Sequence, residues 1–244
     1  MKQVILITDG CSNVGVSPVV AAAHALAEGI VVNVVGIIDQ ADMSEKGSLE
    51  IKEIAEAGGG LSRIVNPKKL AQTMQMLTRK TVAHTIQQVV SRELKQIIGN
   101  SDMETLHPDK RAQIVETMDE LSETVDLQVV LLIDASASMK PKLPAVEEAI
   151  QDLMLSLQAR TGRSEMSVFH FPGNGEDAHM DQNWTCELAK LQDLFYKLNM
   201  KGTTPTGPAL LHVIRFFKDH RKIGQQTQTR LHKGKDGMLS DFVV

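Results

Sequence analysis

Leu127-Gln128-Val129-Val130-Leu131-Leu132-Ile133-Asp134-Ala135-Ser136-Ala137-Ser138 is the stretch on which the fold turns. A strand-length apolar run stops at an acid, and small and hydroxyl-bearing residues then alternate. A nearly continuous apolar run is what a strand covered by helices on both faces requires. The pattern predicts a strand over Leu127–Ile133, a tight loop, and a helix over Leu143–Ala159. Met166–Phe171 then reads as the next strand, a polar loop with Gly173 and Gly175 follows, and a helix is expected near Cys186–Leu198.

The same rhythm precedes this stretch. Gln3–Thr8 is a short β-branched strand, and Ser17-Pro18 opens a helix that runs through Glu28 and stops at Gly29. Ile30–Ile38 is a strand, Leu49–Ala57 a helix ended by Gly58-Gly59-Gly60, and Leu61–Val65 a third strand. From Lys68 a long helix is predicted, with Leu70, Met74, Leu77, Ile86, Val90, Leu94 and Ile97 forming a core-facing stripe, closed by Gly99-Asn100. A second helix, Asp109–Glu123, lies in an acidic segment: Asp102 to Asp126 holds eight acidic and two basic residues. Pro208–Lys218 is the last predicted helix, and a basic tail follows it. Strand–helix alternation of this kind predicts an α/β fold, a Rossmann-like doubly wound and mainly parallel sheet with helices on both faces, plus a helical connector.

The composition is that of an ordinary globular chain: of 244 residues, 42% are hydrophobic and 23% charged. A net charge of −4 gives no global attraction to nucleic acid or to anionic membrane, and no segment is long and apolar enough to span a bilayer. The N-terminus does not read as a signal peptide, and Cys11 and Cys186 are too few for a disulfide framework, so a cytoplasmic location is expected. The six phenylalanines, one tyrosine and one tryptophan all lie beyond residue 168. Read alone, that asymmetry suggests two domains.

In a parallel α/β sheet, function collects at the C-terminal ends of the strands, above all where the strand order reverses. Three places offer reactive groups there: Asp9-Gly10 after the first strand, Asp134 to Ser138 after the fourth, and Thr203, Thr204 and Thr206 in the Lys201–Gly207 loop. Carboxylates and hydroxyls are hard oxygen donors, suited to Mg²⁺ or Mn²⁺, and no Cys/His cluster competes for a softer metal. Few protein ligands around a small octahedral ion leave positions for water or for a partner's carboxylate.

At these residues the sequence resembles the von Willebrand factor A domain family, whose metal-ion-dependent adhesion site reads DxSxS…T…D. Asp134, Ser136 and Ser138 match the first element, Thr204 the threonine and Asp9, in Ile7-Thr8-Asp9-Gly10, the final aspartate. The resemblance implies that the two serines touch the ion and that the aspartates act largely through water. It also implies that the threonine joins in the ligand-binding arrangement, and that the partner is a protein presenting an acidic residue.

One departure is large. In the family the DxSxS strand comes first, whereas here Asp9 precedes Asp134. Residues 1–98 resemble the second half of such a domain and residues 126–220 the first half. Residues 99–125 then form an acidic helical connector and 221–244 a basic tail, together giving one composite, circularly permuted domain. Joining the ends of the ordinary domain through the connector requires no knot. In the family's sheet the two motif strands are neighbours, so Asp9 and Asp134 are expected to face each other. The halves could complete one another within a monomer or between chains in a swapped dimer.

Other readings are set against this one. Gly58–Gly60 ends a helix and enters a strand, the reverse of a phosphate cradle. Asp241 loosely echoes the final aspartate but lies in the tail. No GxSxG elbow, Walker loop or Cys–His pair in a recognisable setting is present. The enzyme alternative makes Asp134 the acceptor of a Mg²⁺-dependent phosphoryl transfer or phosphatase reaction, but the second acid of that DxD chemistry is Ser136 here; a metal-free scaffold is the other alternative. The expected function is therefore a non-enzymatic, metal-dependent protein-interaction module with no nucleic-acid partner.

Overall fold

The computed structural model describes residues 1–38, 44–98, 107–191, 194–195 and 203–220. Six strands form one sheet in the order β3-β2-β1-β4-β5-β6. The first segment contributes β1 (Lys2–Thr8), β2 (Ile30–Ile37) and β3 (Gly59–Val65). The second contributes β4 (Leu127–Asp134), β5 (Ser164–Phe171) and β6 (His179–Thr185). All neighbours are parallel except β5 and β6. The fold is thus a doubly wound, mostly parallel α/β sheet.

Strand alternation distributes the core between two layers. On one face Ile5, Ile7, Val129, Leu131 and Ile133 pack against α3 (Leu70–Ile98) and α5 (Leu143–Gln158). On the other, Val4, Leu6, Val130, Leu132, Phe169 and Phe171 meet α1 (Pro18–Ala27), α2 (Glu45–Ala57) and α6, residues 206–220. The stripe expected along α3 is buried at Leu70, Met74, Leu77 and Ile86. The aromatic asymmetry belongs to this arrangement. Trp184 of β6 stacks on Phe216 of α6, and Phe216 meets Phe169 of β5 edge-on, so the aromatics crowd one half of a continuous sheet.

Four local expectations need correction. The segment after Gly175 is not only loop: His179–Thr185 forms the antiparallel edge strand β6. Its polar sequence hides it, because an edge strand needs little apolar surface. The helix expected at Cys186–Leu198 is, among its described residues, a 3₁₀ turn over Leu188–Leu191. The second helix starts earlier than Leu49, at Glu45, because Ser44 accepts the Gly47 amide as its cap. Of the glycine run only Gly58 ends that helix, while Gly59 and Gly60 begin β3. Gly59 has φ +65°, and a Cβ on Gly60 would strike the Val32 carbonyl. Gly99-Asn100, Lys201-Gly202, the tail and Asp241 lie outside the described residues.

The connector enters the sheet through α4 (Pro108–Thr124), which ends at Val125 just before β4. Here Arg160 acts as a clamp. Its Nη2 donates to the carbonyls of Ser122 (2.7 Å) and Val125 (2.9 Å), and its Nη1 donates to Ser164 Oγ (2.8 Å). It thereby satisfies carbonyls that the end of α4 leaves without helical partners. Desolvation lowers the Arg160 pKa, opposed by the charges of Glu123 and Asp126. Removing this cation with Arg160→Met should cost about 2 kcal/mol, the scale of charge-assisted hydrogen bonds. Urea denaturation measures this, and a loss below about 0.5 kcal/mol would show that α4 docks without the clamp.

Candidate metal centre

The strand order reverses between β1 and β4: connections from β1 lead outward to β2 and β3, those from β4 to β5 and β6. A crevice at the C-terminal ends of such a strand pair is where a doubly wound sheet builds sites. The register pairs Ile7 with Ile133, which sets Thr8 and Asp9 beside Asp134. Within a single chain, the two motifs therefore meet.

The contacts form a continuous chain. Thr8 Oγ1 donates to Asp134 Oδ2 at 2.7 Å, and the Ser136 amide donates to Asp134 Oδ1 at 2.8 Å. Ser136 Oγ lies 3.2 Å from Ser138 Oγ, and Ser138 Oγ donates to Asp9 Oδ1 at 2.9 Å. Lys142 Nζ closes the chain at 2.6 Å from Asp9 Oδ2. The backbone sets this up locally. Ala135 N binds the Phe171 carbonyl, and a 3₁₀ turn over Ala137–Met139 brings Ser138 and then Lys142 back over the strand ends.

Thr204 reaches the same end of the sheet by another route. Its amide donates to Asn13 Oδ1 at 2.8 Å, while its carbonyl accepts from Asn13 N and Ser12 Oγ, both at 3.2 Å. Glu50 of α2 holds this β1–α1 loop through the Ser12 amide at 3.0 Å. Gly207 has no room for a Cβ because the Val16 carbonyl lies against it. The loop carrying Thr204 is thus fastened to the loop following Asp9. Among the described residues, no hydrogen bond links the Thr204 hydroxyl directly to Asp9, Asp134, Ser136 or Ser138. Thr203 is exposed, and Thr206 is buried at the start of α6.

Sequence reasoning found Asp134, Ser136, Ser138 and Asp9, and the structure brings these four together. It missed the roles of Thr8 and Lys142. Thr8 is legible in retrospect as the residue preceding Asp9 on a strand neighbouring Asp134. Lys142 is not legible: it is the second base after the 3₁₀ turn, behind Lys140, and only the fold brings its ammonium onto Asp9. Ser12 and Asn13, in the loop that follows Asp9, clasp the Thr204 backbone. His170 of β5 pairs with Asp181 of β6 at 2.8 Å, both side chains largely buried. The half-buried Cys11 thiol is pushed up in pKa by burial and by Glu50, which favours an inert thiol.

The electrostatics are those of a buried anionic pocket. Asp134 is 1% exposed, and desolvation pushes its carboxyl above the usual range; bonds from Thr8 and Ser136 oppose the rise, and the Asp9 charge adds to it. Among the described residues there is no group of three or more His, Cys, Asp or Glu side chains able to hold a metal. An ion here would depend on hydroxyls and water for most of its shell. The donor set fits that case. An octahedral Mg²⁺ with oxygens at about 2.0–2.1 Å places neighbouring ligands roughly 3 Å apart. The Ser136–Ser138 and Ser138–Asp9 oxygen separations, 3.2 and 2.9 Å, match that edge.

The raised carboxyl has a consequence for stability. Between the unfolded and folded pKa values the native state holds the extra proton. Asp134 therefore contributes stability that is intact below about pH 4 and lost as pH rises through its raised folded value. Without divalent ions, the wild type should lose stability relative to Asp134→Asn as the pH goes from about 4 towards neutrality. Urea denaturation across that range in EDTA reads the difference, and parallel curves would contradict it.

No family model matches the chain. It is 48% identical over 222 residues, 91% of each chain, to the protein named "Uncharacterized protein YabS" from Bacillus subtilis (strain 168). A crystal structure of an uncharacterized protein from Alicyclobacillus acidocaldarius has 42% identity and a TM-score of 0.83, over 91% of this chain and 95% of that one. Proximal thread matrix protein 1 of mussel byssus matches at 16% identity with a TM-score of 0.24, over 83% of this chain and 43% of that one, and informs neither fold nor site. Identity sustained over nine-tenths of both sequences, with the same architecture in the solved bacterial structure, makes this chain a member of the YabS family.

Proposed function

We propose that this chain is a permuted von Willebrand A-type domain acting as a divalent-metal-dependent protein-interaction module. In this reading Mg²⁺ or Mn²⁺ is held by Asp134, Ser136, Ser138, Thr204 and Asp9, and engages an acidic residue of a partner protein. The observation that carries the reading is the convergence of Asp134, Ser136 and Ser138 with Asp9 at the β1/β4 switch point, across a gap of more than a hundred residues in the chain. Residues 1–98 and 126–220 supply the two halves of the domain, 99–125 the connector and 221–244 the tail.

Each residue has a task that follows from its contacts. Thr8 and the Ser136 amide orient the Asp134 carboxylate, which lies too deep to meet a partner and serves to fix the floor of the site. Exposed Ser138 and buried Ser136 present adjacent hydroxyls at the mouth. Asp9 bounds the site from the β1 side, and the Asn13 clasp keeps the Thr204 loop within reach. When bound, the ion supplies a Lewis-acidic position open to a partner's carboxylate.

A binding role is favoured over phosphoryl transfer by Asp134 itself. An acceptor carboxylate needs a free, exposed oxygen for in-line attack, whereas both Asp134 oxygens accept hydrogen bonds inside the sheet. Among the described residues no helix is long and apolar enough to cross a membrane, and the reading requires none.

Calorimetric titration with Mg²⁺ should show one site in the wild type, abolished by Asp134→Ala and weakened about tenfold or more by Ser138→Ala. A partner captured by the wild type in Mg²⁺ should be released by EDTA. Equal Mg²⁺ binding by wild type and Asp134→Ala would sink the metal reading. Turnover of a generic phosphate ester, lost in Asp134→Asn, would replace it with the enzyme alternative.

A further inference from the structure

The proposed metal site already contains a cation of the protein's own. Lys142 precedes α5, and its ammonium reaches back to Asp9 Oδ2 at 2.6 Å. The Lys142 and Asp9 side chains are only 10% and 3% exposed. Lys140, two residues earlier, is exposed. A lysine at a loop rim ordinarily leaves its ammonium in water, so burying it against a carboxylate requires compensation from that carboxylate. Asp9 provides it, with its second oxygen already taken by the Ser138 hydroxyl. Both oxygens of the acid that bounds the site are therefore committed.

The charge balance gives this pair a role. With both carboxylates ionised, Asp9 and Asp134 carry two negative charges, and Lys142 neutralises one of them. A divalent ion at the Ser136–Ser138 hydroxyls would neutralise both, and would then face the ammonium as a like charge at close range in a poorly hydrated pocket. We propose that Lys142 is an internal competitor of the divalent ion: in the metal-free protein its ammonium holds Asp9 and closes the site, and Mg²⁺ binds by displacing it. The long flexible stem lets the ammonium leave for solvent without moving the 3₁₀ turn or α5. This regulation rests on the metal reading above, and it makes site opening a function of free Mg²⁺ rather than of a permanently bound ion.

The test titrates Mg²⁺ into the full chain by calorimetry, comparing wild type, Lys142→Met and the neighbouring charge control Lys140→Met. Removing the competitor should tighten Mg²⁺ binding about tenfold or more, while the control stays within about twofold. In EDTA Lys142→Met should melt below wild type, because Asp9 is left buried and unpaired, and Mg²⁺ should raise its Tm by more than it raises that of wild type. Mg²⁺ binding by Lys142→Met but not by wild type would also support the competitor. Unchanged or weaker binding in Lys142→Met would overturn the gate and leave the metal site standing; no binding in either protein would overturn both. A second measurement needs no variant. Acetic anhydride labelling of wild type, read by mass spectrometry, should modify Lys142 poorly in EDTA and readily in saturating Mg²⁺. Equal labelling in the two conditions, with Mg²⁺ bound, would equally overturn the proposal.

Discussion

The hydrogen bond from Thr8 to Asp134 is the constraint on which the site depends. It joins the last residues of two central strands that are 126 positions apart in sequence, at a point buried from solvent. An ionised carboxylate in that position is costly unless its oxygens are satisfied, and the Thr8 hydroxyl and the Ser136 amide satisfy one each. The β1/β4 register sets this contact, and the register itself is enforced by side chains that point alternately into two helical layers. A one-residue slip would turn Thr8 away from Asp134 and exchange the two core layers. Fold and site are thus specified together.

Much of this was legible because four of the parallel strands, β1, β2, β4 and β5, are buried on both faces, or nearly so, and announce themselves as apolar runs. Val129 to Ile133 is the clearest case. The antiparallel edge strand was not legible, since His179–Thr185 is exposed or half-exposed except at Thr185 and carries Asp181, Gln182 and Asn183. The start of α2 was hidden for a related reason: Glu45, Lys46 and Gly47 carry no apolar periodicity, and only the Ser44 cap marks the boundary. In the site, the acids and serines could be read from motif and strand end. Lys142 could not, because a basic residue near a helix start ordinarily reads as solvated. Its meaning comes from the turn that folds it back onto Asp9.

The opposing charges also explain how an anionic pocket persists at the centre of the sheet. Burial pushes Asp134 towards its neutral form, while the Lys142 ammonium sits 2.6 Å from the buried Asp9 carboxyl group. A divalent ion would change both conditions at once, favouring ionised Asp134 and making the lysine redundant. Metal affinity, proton binding and the position of one side chain become aspects of a single equilibrium.

The central claim is that the composite of Asp134, Ser136, Ser138 and Asp9 holds a hard divalent ion. Anomalous diffraction from crystals soaked in Mn²⁺ tests it most directly, because the signal locates the ion without regard to affinity or partner. The account predicts one peak at the β1/β4 strand ends, coordinated directly by Ser136 and Ser138, with Lys142 withdrawn from Asp9. A saturated crystal with no peak there, or with Mn²⁺ bound only elsewhere on the protein, would contradict it.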